Sequence, residues 1–295
     1  MDIFEQADAF TPNRAVLQEE EEAASSCAGS YLRPALCVWN RRLSKQLFPD
    51  GMRCEILIIA TCPTSCALMR AIGNKQLLGA VLGPGVSLAG NSLVSGAGDP
   101  LASDKVCPIY TLRQAPPATA ALPGSALHVD VLLVCCQYEV ARERAPVWAR
   151  SVLEQISCSH AVFLGAMAAE QFRGQGDASQ EELIFALRTS ASQQRQLQAG
   201  ARGPVPLLPT GTVVGGLPAS LLSYCQVHGA SADLLVIVEM VLEGRPALLE
   251  ALAAALGQLL RSRGLDAAAA AMYNGAVLAA ARKGLGTAAV CDVYV

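Results

Sequence analysis

The sequence predicts an α/β fold, a three-layer αβα sandwich around a mostly parallel sheet. Two observations carry that reading. Four short runs, EILIIAT (55–61), VDVLLVCC (129–136), HAVFLGA (160–166) and ADLLVIVE (232–239), are apolar at consecutive rather than alternate positions. Strands buried on both faces read this way, and a parallel sheet covered by crossover helices buries both faces. Amphipathic helical segments follow most of these runs, and strand–helix alternation builds right-handed crossovers with helices on both sides of the sheet.

The elements follow in chain order. Residues 1–30 read as a flexible acidic N-terminal leader, because Glu19 to Glu22 run into small polar residues with little to bury. A single α/β domain is expected over 31–285, with residues 286–295 as a C-terminal docking tail. PALCVWN (34–40) reads as a strand, followed by 55–61. PTSCALMRAIG (63–73) is a helix with Pro63 at its first position and Gly73 at its end. Two insertions rich in Gly, Ser, Ala and Pro, 77–104 and 113–125, read as loose segments around a further strand, KVCPIYTL (105–112). After the strand at 129–136, APVWARSVLEQI (145–156) sets Trp148, Val152 and Ile156 four apart on one helical face. Beyond 160–166, the polar stretches 172–180 and 190–204 read as loops. LPASLLSYCQVHG (217–229) is a helix between Pro218 and Gly229, and the strand at 232–239 follows it. RPALLEALAAALGQLLRSRG (245–264) then carries Leu248, Leu249, Leu252, Leu256, Leu259 and Leu260 on one stripe.

Composition narrows the function classes. Hydrophobic residues make up 52% and charged residues 16%, ample for a core, and the net charge of −3 argues against a phosphate-binding surface as the main business. Arg41 and Arg42 are the nearest thing to a basic patch and read as a solvated helix face. Eleven cysteines without a leading charged-then-apolar segment imply free thiols in a reducing compartment, the cytoplasm and also the nucleus. Cys54, Cys62, Cys135, Cys136 and Cys225 sit inside apolar runs as small hydrophobes. No stretch reaches the roughly 18 to 20 apolar residues that span a bilayer.

Catalytic signals are weak. GPGVSLAG (83–90), GTVVGG (211–216) and GLGTAA (284–289) lack the spacing or the lysine of a nucleotide loop. Cys62 and Cys66 lack further ligands at zinc-type spacing. His128, His160 and His228 each adjoin an apolar segment and read as ordinary part-buried histidines. Asp130, Asp233 and Glu239 flank strands, where carboxylates cap or solvate. No catalytic residue, cofactor or metal is expected.

The most distinctive stretch is GGLPASLLSYCQVHGASADLLVIVE (215–239), and its LPASLLSYCQV closely resembles the corresponding segment of the proteasome assembly chaperone 1 family. LIFALRTS (183–190), the acidic run Glu19 to Glu22 and the hydrophobic-Tyr-any terminus Val293, Tyr294, Val295 agree with that resemblance. It implies a non-enzymatic chaperone that heterodimerises with proteasome assembly chaperone 2. The pair would sit on the α-ring of the proteasome core particle during assembly. The hydrophobic-Tyr-any tail would dock between α-subunits and block premature binding of regulators. The alternative is an α/β enzyme of nucleoside phosphorylase-like or hydrolase-like fold, which should show a polar, convergent pocket at the carboxyl ends of its strands.

The tail fits docking physically. A free carboxylate pairs with a pocket lysine, the Tyr294 ring fills an apolar slot, and Val293 adds apolar area. Gly284 and Gly286 are expected to loosen the chain upstream. Residues alone leave a second reading open, an internal edge strand over 287–295, since AAVCDVYV has fair strand propensity.

Overall fold

Eight strands form one mixed sheet: β1 (Leu36–Trp39), β2 (Arg53–Ala60), β3 (Lys75–Leu82), β4 (Cys107–Leu112), β5 (Val131–Cys135), β6 (Ser157–Ala168), β7 (Ile184–Arg188) and β8 (Ala232–Glu239). They are known from a computed structural model that describes residues 34–40, 52–83, 100–101, 104–112, 130–198, 200, 203, 205–240 and 246–291. The leader 1–30, Arg41 and Arg42, His128, the segments 84–99 and 113–125, and the terminal Val293, Tyr294 and Val295 lie outside the described residues.

The strand order is β1-β3-β4-β5-β2-β6-β8-β7. The central four, β5, β2, β6 and β8, are mutually parallel. They are the four consecutive apolar runs read from the sequence. Their successive residues alternate between two buried faces. Ile56, Ile58, Leu133, Val162, Leu235 and Ile237 point to one, while Leu57, Ile59, Leu132, Phe163, Leu234 and Val236 point to the other. Both parities are apolar because helices cover both sides.

Four helices cover the first face: α1 (Pro63–Ala71), α5 (Pro246–Arg261), α6 (Asp266–Met272) and α7 (Gly275–Cys291). The second face is covered by α2 (Ala145–Leu153) and α4 (Gly216–Val227), which pack on each other. One more helix, α3 (Ser190–Gln198), lies near the start of β8. Together these make the three layers.

The structure differs from the sequence reading at the antiparallel flanks. β3 begins before and runs into the expected 77–104 loop and pairs antiparallel with β1 and β4. Its Gly79, which read as loop glycine, is a packing requirement: a Cβ there would lie 2.4 Å from the Val38 carbonyl oxygen. β7, at the opposite edge, pairs antiparallel with β8. Its outer side is met by the chain at 205–208, where the Ala186 N–H donates to the Pro206 carbonyl and the Leu208 N–H to that of Ala186. The expected loop at 190–204 begins with α3, whose first turn is capped by the Thr189 hydroxyl accepting from the Ser192 N–H at 3.3 Å.

Candidate functional site

The terminal tail, the sequence's strongest candidate, is carried by α7. Val277, Leu278, Ala281 and Leu285 face the core, and Arg282 pairs with Glu250 on α5. The helix continues through Gly284 and Gly286 to Cys291. The loosening expected at these glycines is therefore absent from the backbone. A glycine costs a helix only about 1 kcal/mol relative to alanine, and the flanking Ala-rich turns are strong helix formers. Residues 287–291 are helical, which removes that part of the edge-strand alternative. Four residues follow Cys291 and can extend at most roughly 14 Å.

Helix α4 holds the distinctive segment. It buries a single stripe, Leu217, Leu221 and Cys225, spaced by four. Pro218 sits tightly on the sheet because β6 has glycine beneath it: a Cβ on Gly165 would lie 2.8 Å from Pro218 Cγ. No residue of α4 is charged. Leu222 packs half-buried against the same core, and the outer side carries half-buried Ala219 with exposed Ser223, Gln226 and Val227, the last 81% exposed. Tyr224 stacks on His228 with ring centroids 4.0 Å apart. A surface helix normally pairs its apolar stripe with a charged outer face. One that stays uncharged all round is a candidate for contact with another protein.

The carboxyl ends of the parallel strands are where an enzyme of this architecture would place its site. Thr61 Oγ1 donates to the Leu164 carbonyl at 2.8 Å, and Cys66 Sγ to that of Cys136 at 3.2 Å. Thr64 Oγ1 donates to Glu239 Oε1 at 2.8 Å, with both residues fully buried. Burial pushes the Cys62 thiol up to about 11 and the Cys135 thiol up to about 12. Burial likewise holds Cys66 and Cys136 well above the ordinary thiol range. Such thiols stay protonated at neutral pH and make poor nucleophiles. The buried Gln137 amide finds no hydrogen-bond partner among the described residues there. A shallow depression of about 340 Å³ lies elsewhere, between Ile72 and Asn74 after α1 and Asn274 and Val277 around the start of α7.

The amino ends of β6 and β8 hold a buried polar cluster that the sequence reading missed. His160 Nε2 lies 3.3 Å from Asp233 Oδ2, and its Nδ1 lies 2.9 Å from Ser231 Oγ. Ser192 Oγ on α3 donates to Asp233 Oδ1, and Arg188 Nε stands 3.9 Å from the same oxygen. Burial alone would raise the Asp233 carboxyl. His160, Ser192 and Arg188 outweigh it and hold the group below the usual range. Asp233 and Glu239, expected to cap or solvate, are instead buried. Strand parity was the available signal: residues 233, 235, 237 and 239 share one side of β8, and Leu235 and Ile237 face the core. Among the described residues no group of acidic, histidine or cysteine side chains could hold a metal ion. None of the described helices is long and apolar enough to cross a membrane.

The sequence matches no protein-family model and no curated protein. The fold, by contrast, is shared with solved structures. PbaB of Pyrococcus furiosus, an archaeal proteasome activator, superposes with a TM-score of 0.54 at 12% identity over 89% of this chain and 99% of its own. PbaA of the same organism, an archaeal homolog of proteasome-assembly chaperone, gives 0.52 at 13% identity over 88% and 94%. A protein of unknown function from Thermoplasma acidophilum gives 0.55 at 10% identity over 85% and 92%. The chain is an α/β protein with the fold of these archaeal proteins. At such identities the likeness establishes the fold alone.

Proposed function

We propose that this chain is a proteasome assembly chaperone of the proteasome assembly chaperone 1 type. The observation that carries the proposal is the shared architecture, which spans 99% of PbaB and 94% of a proteasome-assembly chaperone homolog. The LPASLLSYCQV segment adds support, since it forms, among the described residues, the one helix that carries no charged residue. In this reading the chain heterodimerises with proteasome assembly chaperone 2 and promotes assembly of the α-ring of the core particle. Val293, Tyr294 and Val295 dock in a pocket between α-subunits and keep regulators from binding early. The chain acts as an interaction protein in the cytoplasm and nucleus, without catalysis.

Expression alone and with proteasome assembly chaperone 2 tests the partner. Alone, the chain should self-associate through its uncovered apolar surface. Together, the two should elute from size-exclusion chromatography as one defined heterodimer. A monodisperse monomer that ignores the partner contradicts the proposal.

A further inference from the structure

We propose that the buried line Ser231–His160–Asp233 is an acid-released latch that holds α3 and the turn between α5 and α6 against the amino ends of β6 and β8. Four parts of the chain meet there. β6 supplies His160, and β8 with its leading residue supplies Asp233 and Ser231. From α3 come Ser192, bonded to Asp233, and Arg195, whose Nη1 donates to the Ser159 carbonyl at 2.9 Å. Arg263 comes from the turn after α5.

The ring's protonation state follows from its neighbours. The carboxylate of Asp233 accepts, so Nε2 carries the proton and donates to it. Nδ1 then accepts from the Ser231 hydroxyl. Arg263 Nη2 is 3.3 Å from Nδ1 and 3.4 Å from Nε2. Equal distances to both nitrogens put the guanidinium over the ring face, not in line with either lone pair. That stacking suits a neutral imidazole and opposes an imidazolium.

A second proton on His160 would have to sit at Nδ1, at a site only 2% exposed. The added charge would lie beneath the Arg263 guanidinium, with the Arg195 cation opposing it as well. Asp233 favours the charged ring, but its other oxygen already accepts from Ser192 and stands near Arg188. Glu55 on β2, an anion, favours the charged form of Arg263. Burial is the largest influence and lowers the imidazole below its ordinary range; Arg263 and Arg195 act the same way, against Asp233. A group with a depressed folded-state value binds its proton more readily once released. The latch is therefore closed above the ordinary imidazole range and opens as pH falls through it. Asp233 is itself held below the carboxyl range, so its own loss belongs to a separate, lower window. Opening would reach α4, because Gln226 bonds the Ser190 N–H at 2.8 Å and the Ser190 hydroxyl at 3.0 Å.

Hydrogen–deuterium exchange on the full chain at pH 7.5, 6.5 and 5.5, corrected for intrinsic rates, tests the latch. Opening of 190–198 and 262–265 should rise by up to about tenfold between pH 6.5 and 5.5, the limit for one linked proton, while α1 stays protected. His160→Gln retains a donor and an acceptor but cannot charge, and should make those segments insensitive to pH. Arg263→Gln, a part-exposed site that should fold in any case, removes the opposing cation and should shrink the acid response. A flat profile in the unmodified chain, an acid response surviving in His160→Gln, or one undiminished in Arg263→Gln would overturn the proposal.

Discussion

Helices α4 and α5 lie on opposite faces of the same sheet and use apolar residues differently. α5 buries nine of its sixteen residues, including Leu248, Leu249, Leu252, Leu256, Leu259 and Leu260, and exposes Glu250 and Arg261. α4 buries three of its twelve and has no charged residue to face water. Apolar content in α5 is accounted for by the core. In α4 the core takes Leu217, Leu221 and Cys225 with Leu222 against them, and what remains is an uncharged outer side where Val227 is exposed beside Ser223 and Gln226. Hydrophobicity alone would have given both helices the same role.

Substitutions can break or sharpen that contrast. The largest effect should come from Leu256→Ala in α5, a fully buried site. It should cost about 2–5 kcal/mol, read as a lower midpoint in urea unfolding. Next is Gly165→Ala, which forces a Cβ to 2.8 Å from Pro218 Cγ and lifts α4. A cost of about 1–3 kcal/mol is expected, and no change in stability would mean that α4 is not seated as tightly as described. Tyr294→Ala should weaken α-ring docking by about ten- to a hundredfold and leave the melting temperature of the heterodimer unchanged. Adding residues after Val295 should hurt docking comparably, since it moves the carboxylate. Val227→Glu on the exposed side of α4 should change stability by no more than about 0.5 kcal/mol while reducing heterodimer recovery. Equal losses of stability for Val227→Glu and Leu256→Ala would erase the distinction between the helices. Smallest of all is the effect of dithiothreitol: the nine cysteines from Cys37 to Cys225 whose side chains the structure describes are free, so reduction should leave the melting temperature where it was.

The parts of the fold legible in the sequence are those whose pattern comes from burial on both sides. β2, β5, β6 and β8 could be read because neither face meets water. β3 could not, since KQLLGAVL keeps five of its eight residues part-exposed at the flank and contains Gly79, a residue that reads as a loop until the approach of β1 is known. α3 was illegible for the opposite reason: only Ser192 is buried, so no apolar period marks it, and its Thr189 cap looks like any loop threonine. The candidate site divides in the same way. α4 stood out by its residues, whereas His160 and Asp233 are 73 positions apart and meet only through the parallel pairing of β6 with β8.

The central claim, that this chain docks on the proteasome α-ring through its terminus, is tested most directly by affinity purification through an N-terminal tag. The full chain is compared with one ending at Asp292. The account predicts that both forms recover proteasome assembly chaperone 2 equally, and that only the full chain recovers α-subunits in strength. Recovery of α-subunits undiminished by the truncation, or by neither form, would contradict it.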